Sequence, residues 1–476
     1  MSIFKDQFPR IGASGQSTGY TIDQSIRFND DDSSLMSRTP SQASSSQRAF
    51  TISFWTKRGN LTSGNRGLFA WEGADDNSEL RLYFDDNQLR YSYIDSNSYV
   101  SRLDTIKLFR DVSAWYHIVA VSDTENAVAT ERWKIYVNGV RETAFESTVY
   151  PSQNANIALF SSTSYLTVIG RTRSAGTSTY DGYLSEINVI DGYAYDPSYF
   201  GEFKTNTDIW IPKKYEGSYG NNGFYLKGQN SGALGNDSSG NDNDFSVTGL
   251  AAHDQVLDSP TNNFCVMSSI DFTYNAIRNG NLETIGGNNN KGGRGTFGFS
   301  SGKFYWEMLA TTVSDGYPGS GVVYDEYASS MPTAYAGGGT NHGAGASHNQ
   351  AIWYKQSTSG STYGSIASSG DILQYAVDRD NNKIYWGVNG TYRNSGDPAG
   401  GSGAVASSLT HYGDWMPYVN HGSNAGSSAG TFNFGQDGTF AGAKTAQGNS
   451  DGNGIGNFYY SPPTGFLALC SLNLGS

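Results

Sequence analysis

One strand-like run carries the residues best spaced for catalysis. It extends from Glu186 to Asp191 and reads Glu-Ile-Asn-Val-Ile-Asp. Two carboxyl groups on one strand face can serve as nucleophile and general acid in glycoside hydrolysis when they lie about 5–9.5 Å apart. Here the central position is an amide, Asn188, and Asp191 begins the turn sequence Asp-Gly-Tyr. We therefore predict a structural strand and a protein that is not an enzyme.

Acidic turns are the second group that could bind something. Calcium takes six to eight oxygen ligands, which carboxylates supply. Calcium is the one cofactor that the residues suggest, although none of the acidic turns has the spacing of a dedicated calcium loop. Solvated turn carboxylates are therefore the favoured interpretation, and calcium binding is the alternative. The candidate calcium ligands are Asp31, Asp75, Asp76, Asp237 and Asp242.

Histidine and tyrosine collect in the Gly/Ser-rich loops of the second half. The spacing of the histidines is irregular and matches no transition-metal motif. Tyrosine is a common contact residue because its rigid ring loses little entropy on binding. The loop residues predicted to contact a ligand are Tyr317, His342, His348, Tyr354, Tyr392 and Tyr412.

The composition excludes several function classes. Charged residues make up 16% of the 476 positions, against a usual value of about 25%. The net charge is −13 and no basic run is present, which argues against nucleic-acid binding. The N-terminal residues lack the apolar core of a signal peptide, and no stretch of apolar residues is long enough to span a membrane. Cys265 and Cys470 stand in apolar contexts and are expected to be buried thiols, with one disulfide as the alternative.

Short alternating runs bounded by turn residues predict an all-β fold. Leu80–Phe84 and Leu89–Tyr93 are separated by an acidic turn and form a predicted hairpin. Trp133–Val137 ends in Asn138-Gly139, a strong hairpin signal. Strands of this length and spacing are typical of β-sandwiches and jelly rolls.

The first half resembles the laminin-G/concanavalin-A-like jelly roll. Four patterns occur in the family's order, and they are Ser25–Asn29, Phe50–Lys57, the pair Trp115–Val119 and Trp133–Gly139, and Asp181–Val189. The resemblance implies a sandwich over residues 1–255 that binds a sugar on a sheet face or loop rim. A further pattern in 221–250 usually opens such a domain but comes last here. We hypothesise a circular permutation, in which 221–250 supplies the closing strand pair.

The second half resembles a SPRY domain, a twisted β-sandwich that binds partners through loops at one end. The resemblance rests on Gly302–Met308, Gly370–Asp378, Lys383–Gly390, Thr431–Gln436 and Pro462–Leu469, in the family's order. The predicted fold class is thus all-β, with two antiparallel sandwiches. Residues 256–294 are expected to connect the jelly roll to the SPRY-like sandwich at 295–476. Trp306, Trp386, Phe432 and Phe434 are expected core residues.

The order of jelly roll, connector and SPRY-like sandwich is similar to that of bacteriophage virion surface proteins. The resemblance implies a tail-fibre or head-decoration protein that binds host-surface polysaccharide or neighbouring virion proteins. A homotrimer is expected by analogy. The alternatives are a polysaccharide depolymerase on a jelly-roll scaffold, a purely structural virion subunit, and a secreted bacterial adhesin.

Overall fold

Two compact β-rich units account for the described chain. The computed structural model describes residues 19–73, 78–176, 178–271, 276–286, 291–313, 319–324, 343–347, 352–355, 361–363, 367–407, 409, 413–421 and 428–475. The first unit comprises Gly19–Pro260 with Arg278–Asn281, and the second contains Thr261–Ile277 with Leu282–Ser476. Strands dominate both units, and in the part of the chain that the structure describes their pairing is mostly antiparallel, with one parallel contact. The predicted all-β fold class is confirmed.

The strands of the first unit form two large sheets that face each other. In chain order they are β1 Ser25–Phe28, β2 Leu35–Arg38, β3 Ala49–Arg58, β4 Asn65–Glu72, β5 Glu79–Asp85, β6 Gln88–Asp95, β7 Ser98–Leu108, β8 Trp115–Asp123, β9 Trp133–Val137, β10 Val140–Arg141, β11 Phe145–Val149, β12 Thr167–Ile169, β13 Gly182–Asp191, β14 Gly201–Phe203, β15 Trp210–Pro212, β16 Phe224–Leu226, β17 Ser246–Thr248 and β18 Gln255–Val256. The first sheet has the order β10-β9-β8-β3-β13-β1-β18, with β16 also beside β13. The second sheet has the order β11-β7-β6-β5-β4-β12-β2-β17, and β14 pairs with β15 in a separate ribbon.

The core of the first unit lies between these two sheets. On β3, Phe50, Ile52 and Phe54 point into it, as the alternation of apolar residues predicts. Trp133 donates its indole N–H to the carbonyl of Tyr91 at 3.2 Å, and the two rings stack 4.0 Å apart. The predicted hairpins are present, since β5 pairs with β6 and β9 with β10.

The segment 221–250 belongs to this sandwich. β16 pairs with β13, and β17 pairs with β2 at the edge of the second sheet. The buried side chains that it adds to the core are Phe224, Leu226, Leu234 and Phe245. The segment therefore adds one strand to each sheet of the first unit, and the circular permutation stays a hypothesis.

The segment 256–294 differs from the expected connector. Its first residues complete the first unit, where β18 pairs with β1 and Asp258 is buried. Phe264 and Val266 already lie in the cores of the second unit. The residues of the expected connector are therefore divided between the two units rather than forming a separate segment.

The second unit is also built on two sheets. Its strands are β19 Ala276–Arg278, β20 Glu283–Ile285, β21 Lys291–Arg294, β22 Lys303–Thr312, β23 Gly319–Tyr324, β24 Gly343–Ser347, β25 Ile352–Lys355, β26 Ser361–Thr362, β27 Ile372–Asp378, β28 Lys383–Val388, β29 Thr391–Tyr392, β30 Trp415–His421, β31 Ala429–Asn433 and β32 Leu467–Ala468. One sheet has the order β19-β20-β31-β22-β27-β28-β29, with β32 parallel to β22, and the other has the order β21-β30-β23-β24-β25-β26. The predicted core residues Trp306, Trp386, Phe432 and Phe434 are all buried.

Helices are short. The structure has one α-helix, Ser471–Leu474, and 3₁₀ turns at Ala129–Glu131, Pro197–Tyr199, Ala252–Asp254 and Arg393–Ser395 among the residues that it describes. In that same part of the chain no helix is long and apolar enough to cross a membrane. Cys265 and Cys470 are buried free thiols, as expected, rather than a disulfide.

Candidate functional site

The outer face of the first sheet carries most of the polar side chains that could do chemistry, and it is covered. We call it the covered face, and it consists of Thr51, Ser53, Trp55 and Lys57 of β3, Trp115, His117, Val119 and Val121 of β8, and Tyr183, Ser185, Glu186, Asn188 and Ile190 of β13. All of these residues are buried. Segments of the same unit pack over it through Tyr20, Ile22, Phe200, Trp210 and Tyr215.

Glu186 occupies an irregularity in β13. The pairing of β13 with β3 shifts register between Ser185 and Asn188, and Glu186 has a φ of 53°. A left-handed backbone is uncommon for a residue with a Cβ atom and persists only where its surroundings hold it. The Tyr225 hydroxyl lies 2.6 Å from one carboxylate oxygen of Glu186, and the Tyr20 hydroxyl lies 3.0 Å from the other. Burial raises the pKa of Glu186, and these two hydroxyl groups oppose the rise.

The other members of the Glu186–Asp191 run have internal partners as well. The Asn188 amide donates to the Glu186 carbonyl at 2.9 Å and accepts from the Tyr219 hydroxyl at 2.8 Å. The Asp191 carboxylate accepts from the backbone N–H groups of Ser45 and Asn222 at 2.9 and 3.0 Å. Each group therefore has a structural partner, in keeping with the predicted structural strand.

His117 lies at the centre of the covered face as a neutral ring. Its Nδ1 accepts from the indole N–H of Trp210 at 3.0 Å, and its Nε2 lies 2.9 Å from the Ser53 hydroxyl. An indole nitrogen can only donate, so Nδ1 must remain unprotonated. Burial lowers the pKa of His117 to about 3.

This histidine should make the first unit acid-sensitive. Below pH 6.5, the ordinary pKa of about 6.5 lets the ring bind a proton in the unfolded chain, whereas the ring in the folded chain stays neutral. The free energy of unfolding is therefore at its full value above pH 6.5 and falls as the pH drops towards 3. At pH 4.5 the loss from this group is about 3 kcal/mol, from roughly two pKa units. We expect His117→Gln to flatten this part of the pH profile in urea unfolding. Parallel profiles for wild type and variant between pH 7 and 4.5 would contradict this.

A buried ion pair closes one end of the covered face. The Lys57 ammonium lies 2.7 Å from Oδ2 of Asp258, and both side chains are 0% exposed. The indole N–H of Trp115 donates to Oδ1 of the same carboxylate at 3.1 Å. The segment after β18 is thereby attached to β3 and β8.

Three tyrosines form a stack beside the covered face, which we call the tyrosine stack. Its members are Tyr193, Tyr195 and Tyr199. Tyr195 is the middle ring, 5.6 Å from Tyr193 with an interplanar angle of 6° and 4.1 Å from Tyr199 with an angle of 29°. The two outer rings are each 44% exposed. The stack therefore presents aromatic surface to solvent, unlike the covered face.

The backbone that carries the stack is fixed to the sheet. Thr51 of β3 donates its hydroxyl to the Tyr193 carbonyl at 2.9 Å and accepts from the Tyr195 N–H at 2.8 Å. Asp196 caps the 3₁₀ turn Pro197–Tyr199 by accepting from the Ser198 N–H at 2.8 Å. Proline at the first position restricts φ and pre-organises this turn. The backbone that carries the three rings is thus fixed by the sheet and by the capped turn.

A buried carboxylate with internal hydrogen-bond partners also occurs in the second unit. Glu307 of β22 accepts from the backbone N–H groups of Tyr459 and Tyr460 at 2.9 and 2.7 Å, and from the Tyr305 hydroxyl at 2.9 Å. Burial raises its pKa to about 7. Its partners are internal, so it joins the C-terminal segment to the sheet.

Most of the ligand-binding residues predicted in the second half lie wholly or partly outside the described residues. Tyr317, His342, His348 and Tyr412 lie outside the described residues, and so does the side chain of Tyr354, whose backbone is in β25. Tyr392 is described, and its ring is less exposed than predicted, while its role as a ligand contact stays a prediction. It is half-buried in β29 and packs against the cluster that contains Tyr305, Tyr385 and Phe466.

The candidate calcium ligands do not come together in the described residues. Asp31 forms an ion pair with Arg278 at 2.7 Å. The Asp237 carboxylate accepts from the N–H groups of Tyr225, Ser239 and Asn243 and so organises a turn. Asp242 is exposed, and Asp75 and Asp76 lie outside the described residues. That part of the chain has no group of three or more metal-ligating His, Cys, Asp or Glu side chains, and calcium stays a prediction.

The first half of the chain matches a known family model. The model, Laminin_G_3 of the concanavalin A-like lectin/glucanases superfamily, matches residues 30–195, about a third of the chain. The predicted laminin-G/concanavalin-A-like resemblance is thereby confirmed for this region. No curated protein matches the sequence significantly.

Solved structures similar to the chain include both predicted sandwich types. The SPRY domain of human HERC1 is 17% identical with a TM-score of 0.27, covering 33% of this chain and 91% of that chain. The native heptameric SAP-like pentraxin from Limulus polyphemus is 18% identical with a TM-score of 0.26, covering 37% and 80%. Domains LG4-5 of the mouse laminin alpha1 chain are 9% identical with a TM-score of 0.29, covering 88% and 86%.

Proposed function

We propose that the protein is a non-enzymatic adhesion protein on the surface of a bacteriophage particle. It binds host-surface polysaccharide or neighbouring virion proteins. It works as a homo-oligomer, and by analogy this oligomer is a trimer. The observation that carries a binding role is the exposed aromatic surface of one short segment. Tyr193 and Tyr199 are each 44% exposed and lie on either side of Tyr195 in one stack, and exposed apolar surface gathered in one place is typical of interaction sites.

The two carboxylates of the Glu186–Asp191 run support a non-catalytic role. Glu186 and Asp191 have internal hydrogen-bond partners and are buried by the chain itself. A glycosidase needs one carboxyl group as acid and a second as nucleophile or base, both at the glycosidic bond. We expect host polysaccharide to keep its chain length when incubated with the purified protein, as measured by size-exclusion chromatography. Shortened chains would instead support the depolymerase alternative.

The virion placement is tested on intact particles. We expect gold-labelled antibody raised against residues 295–476 to decorate purified phage in electron micrographs. Label on tails or fibres supports host recognition, and label over heads supports decoration. Unlabelled particles would overturn the virion placement and favour a secreted bacterial adhesin.

A further inference from the structure

We propose that the tyrosine stack is a binding site for a neutral pyranose-based polysaccharide. This inference rests on the proposed binding function and names its site and ligand class. It starts from the geometry of Tyr193, Tyr195 and Tyr199, in which the middle ring is stacked between two partly exposed rings.

A pyranose ring is complementary to such a surface. One face of many sugar rings presents C–H bonds, whose hydrogens carry partial positive charge, while the hydroxyl groups lie around the rim. An aromatic ring has a negative face and a positive edge, so the C–H face of the sugar packs on the ring face. The tyrosine hydroxyl can exchange hydrogen bonds with sugar hydroxyl groups. Tyr193 and Tyr199 combine both features at the two ends of the stack.

The charged residues of the chain segment that carries the stack favour a neutral ligand. The segment 193–219 carries four carboxylates and three lysines, and their net charge is therefore −1. Lys213 donates its ammonium to the Ser198 carbonyl at 3.1 Å, and Asp196 is engaged in capping its turn. An anionic polysaccharide would need a surplus of cations, which this segment lacks.

Pre-organisation supports binding at this position. Thr51 fixes the backbone at Tyr193 and Tyr195, and mutual stacking restricts the rings. A ligand that packs on rings already held in place costs little additional side-chain entropy. Thr51 is therefore a positioning residue, which affects binding without contacting the ligand.

The experiment uses the full chain and affinity electrophoresis in gels that contain a single polysaccharide. The neutral probes are dextran, mannan, galactan and xylan, and alginate is the anionic probe. We expect wild type to be retarded by at least one neutral probe and Y193A/Y199A to bind it at least tenfold more weakly. Tyr99→Ala is the matched control, because Tyr99 is a tyrosine of the same unit that is 40% exposed but lies on β7. Its binding should stay within twofold of wild type.

Two further variants separate ring contact from misfolding. Y193F/Y199F keeps the stacked rings and should retain part of the affinity. Thr51→Val keeps the shape of the side chain but loses both backbone hydrogen bonds, and it should weaken binding while the thermal unfolding profile stays cooperative. Equal binding by wild type and Y193A/Y199A would overturn the site but leave the proposed function standing.

The remaining outcomes overturn the inference in other ways. Retardation by alginate alone would show an anionic ligand. Loss of self-association in Y193A/Y199A by sedimentation velocity, without any polysaccharide binding by wild type, would make the stack a contact between copies of the chain. Absence of retardation by all five probes would also overturn the inference, whereas the gold labelling decides the virion proposal independently.

Discussion

Deletion of residues 221–250 should abolish cooperative folding of the first unit. The segment contributes β16 to the first sheet and β17 to the second. Its four buried side chains, Phe224, Leu226, Leu234 and Phe245, are part of the main core. Truncation of a single large core residue costs about 2–5 kcal/mol, so the loss of all four is of the same size as the roughly 5–15 kcal/mol that stabilises a whole domain.

This result is measured by calorimetry and near-ultraviolet circular dichroism on the deleted full-length chain. We expect the transition of the first unit to vanish while that of the second remains. A point-mutant pair provides the graded version. Phe224→Ala should lower the free energy of unfolding by about 3–5 kcal/mol, whereas Val247→Ala, on the exposed side of β17, should stay within about 0.5 kcal/mol. A cooperatively melting first unit without 221–250 would rule out the closing role of these strands.

Lys57→Met should be the most damaging single charge removal in the first unit. The substitution keeps most of the side-chain volume but leaves the buried Asp258 carboxylate without its ammonium partner. Removing one member of a buried ion pair costs about 3–5 kcal/mol, because the remaining charge stays in a medium of low polarity. Urea unfolding followed by tryptophan fluorescence measures the loss.

An exposed ion pair of the same unit provides the control. Lys107 pairs with Glu142, and its side chain is 44% exposed. Lys107→Met should cost no more than about 1 kcal/mol, because water screens this pair. Asp258→Asn added to Lys57→Met should restore part of the stability, since it removes the unpaired charge while keeping an acceptor for Trp115. Similar costs for Lys57→Met and Lys107→Met would show that the buried pair is not a stabilising contact.

The sequence predicted the strands and the cores well. β3, β5, β6, β8 and β9 lie at the alternating runs, and Trp306, Trp386, Phe432 and Phe434 are buried. These features depend on local chemistry. The period of two places apolar residues on one face, and Asn138-Gly139 supplies the backbone that a tight hairpin requires.

The candidate binding residues were much harder to predict than the strands and the cores. Asp237 was only a candidate calcium ligand, because acidic residues that organise turns and those that bind metals have the same local sequence, and in the structure this carboxylate accepts from backbone N–H groups. Tyr392 stands in a Gly/Ser-rich region that indicates an exposed loop, yet the ring packs into a cluster. The tyrosine stack was not predicted. Its only signal was the Tyr-rich turn after β13, which does not reveal which rings face solvent.

The sequence alone therefore determined which residues form strands, which strand faces are apolar and where the chain turns, because all three depend on neighbours within a few residues. Only the tertiary structure decided that the opposite face of the first sheet is buried as well. Lys57 meets Asp258 and His117 meets Trp210 across long stretches of chain. Whether a polar side chain on a strand faces water or a partner depends on what packs over that strand. In this protein the covering segments come from sequence positions that no local pattern on the strand specifies.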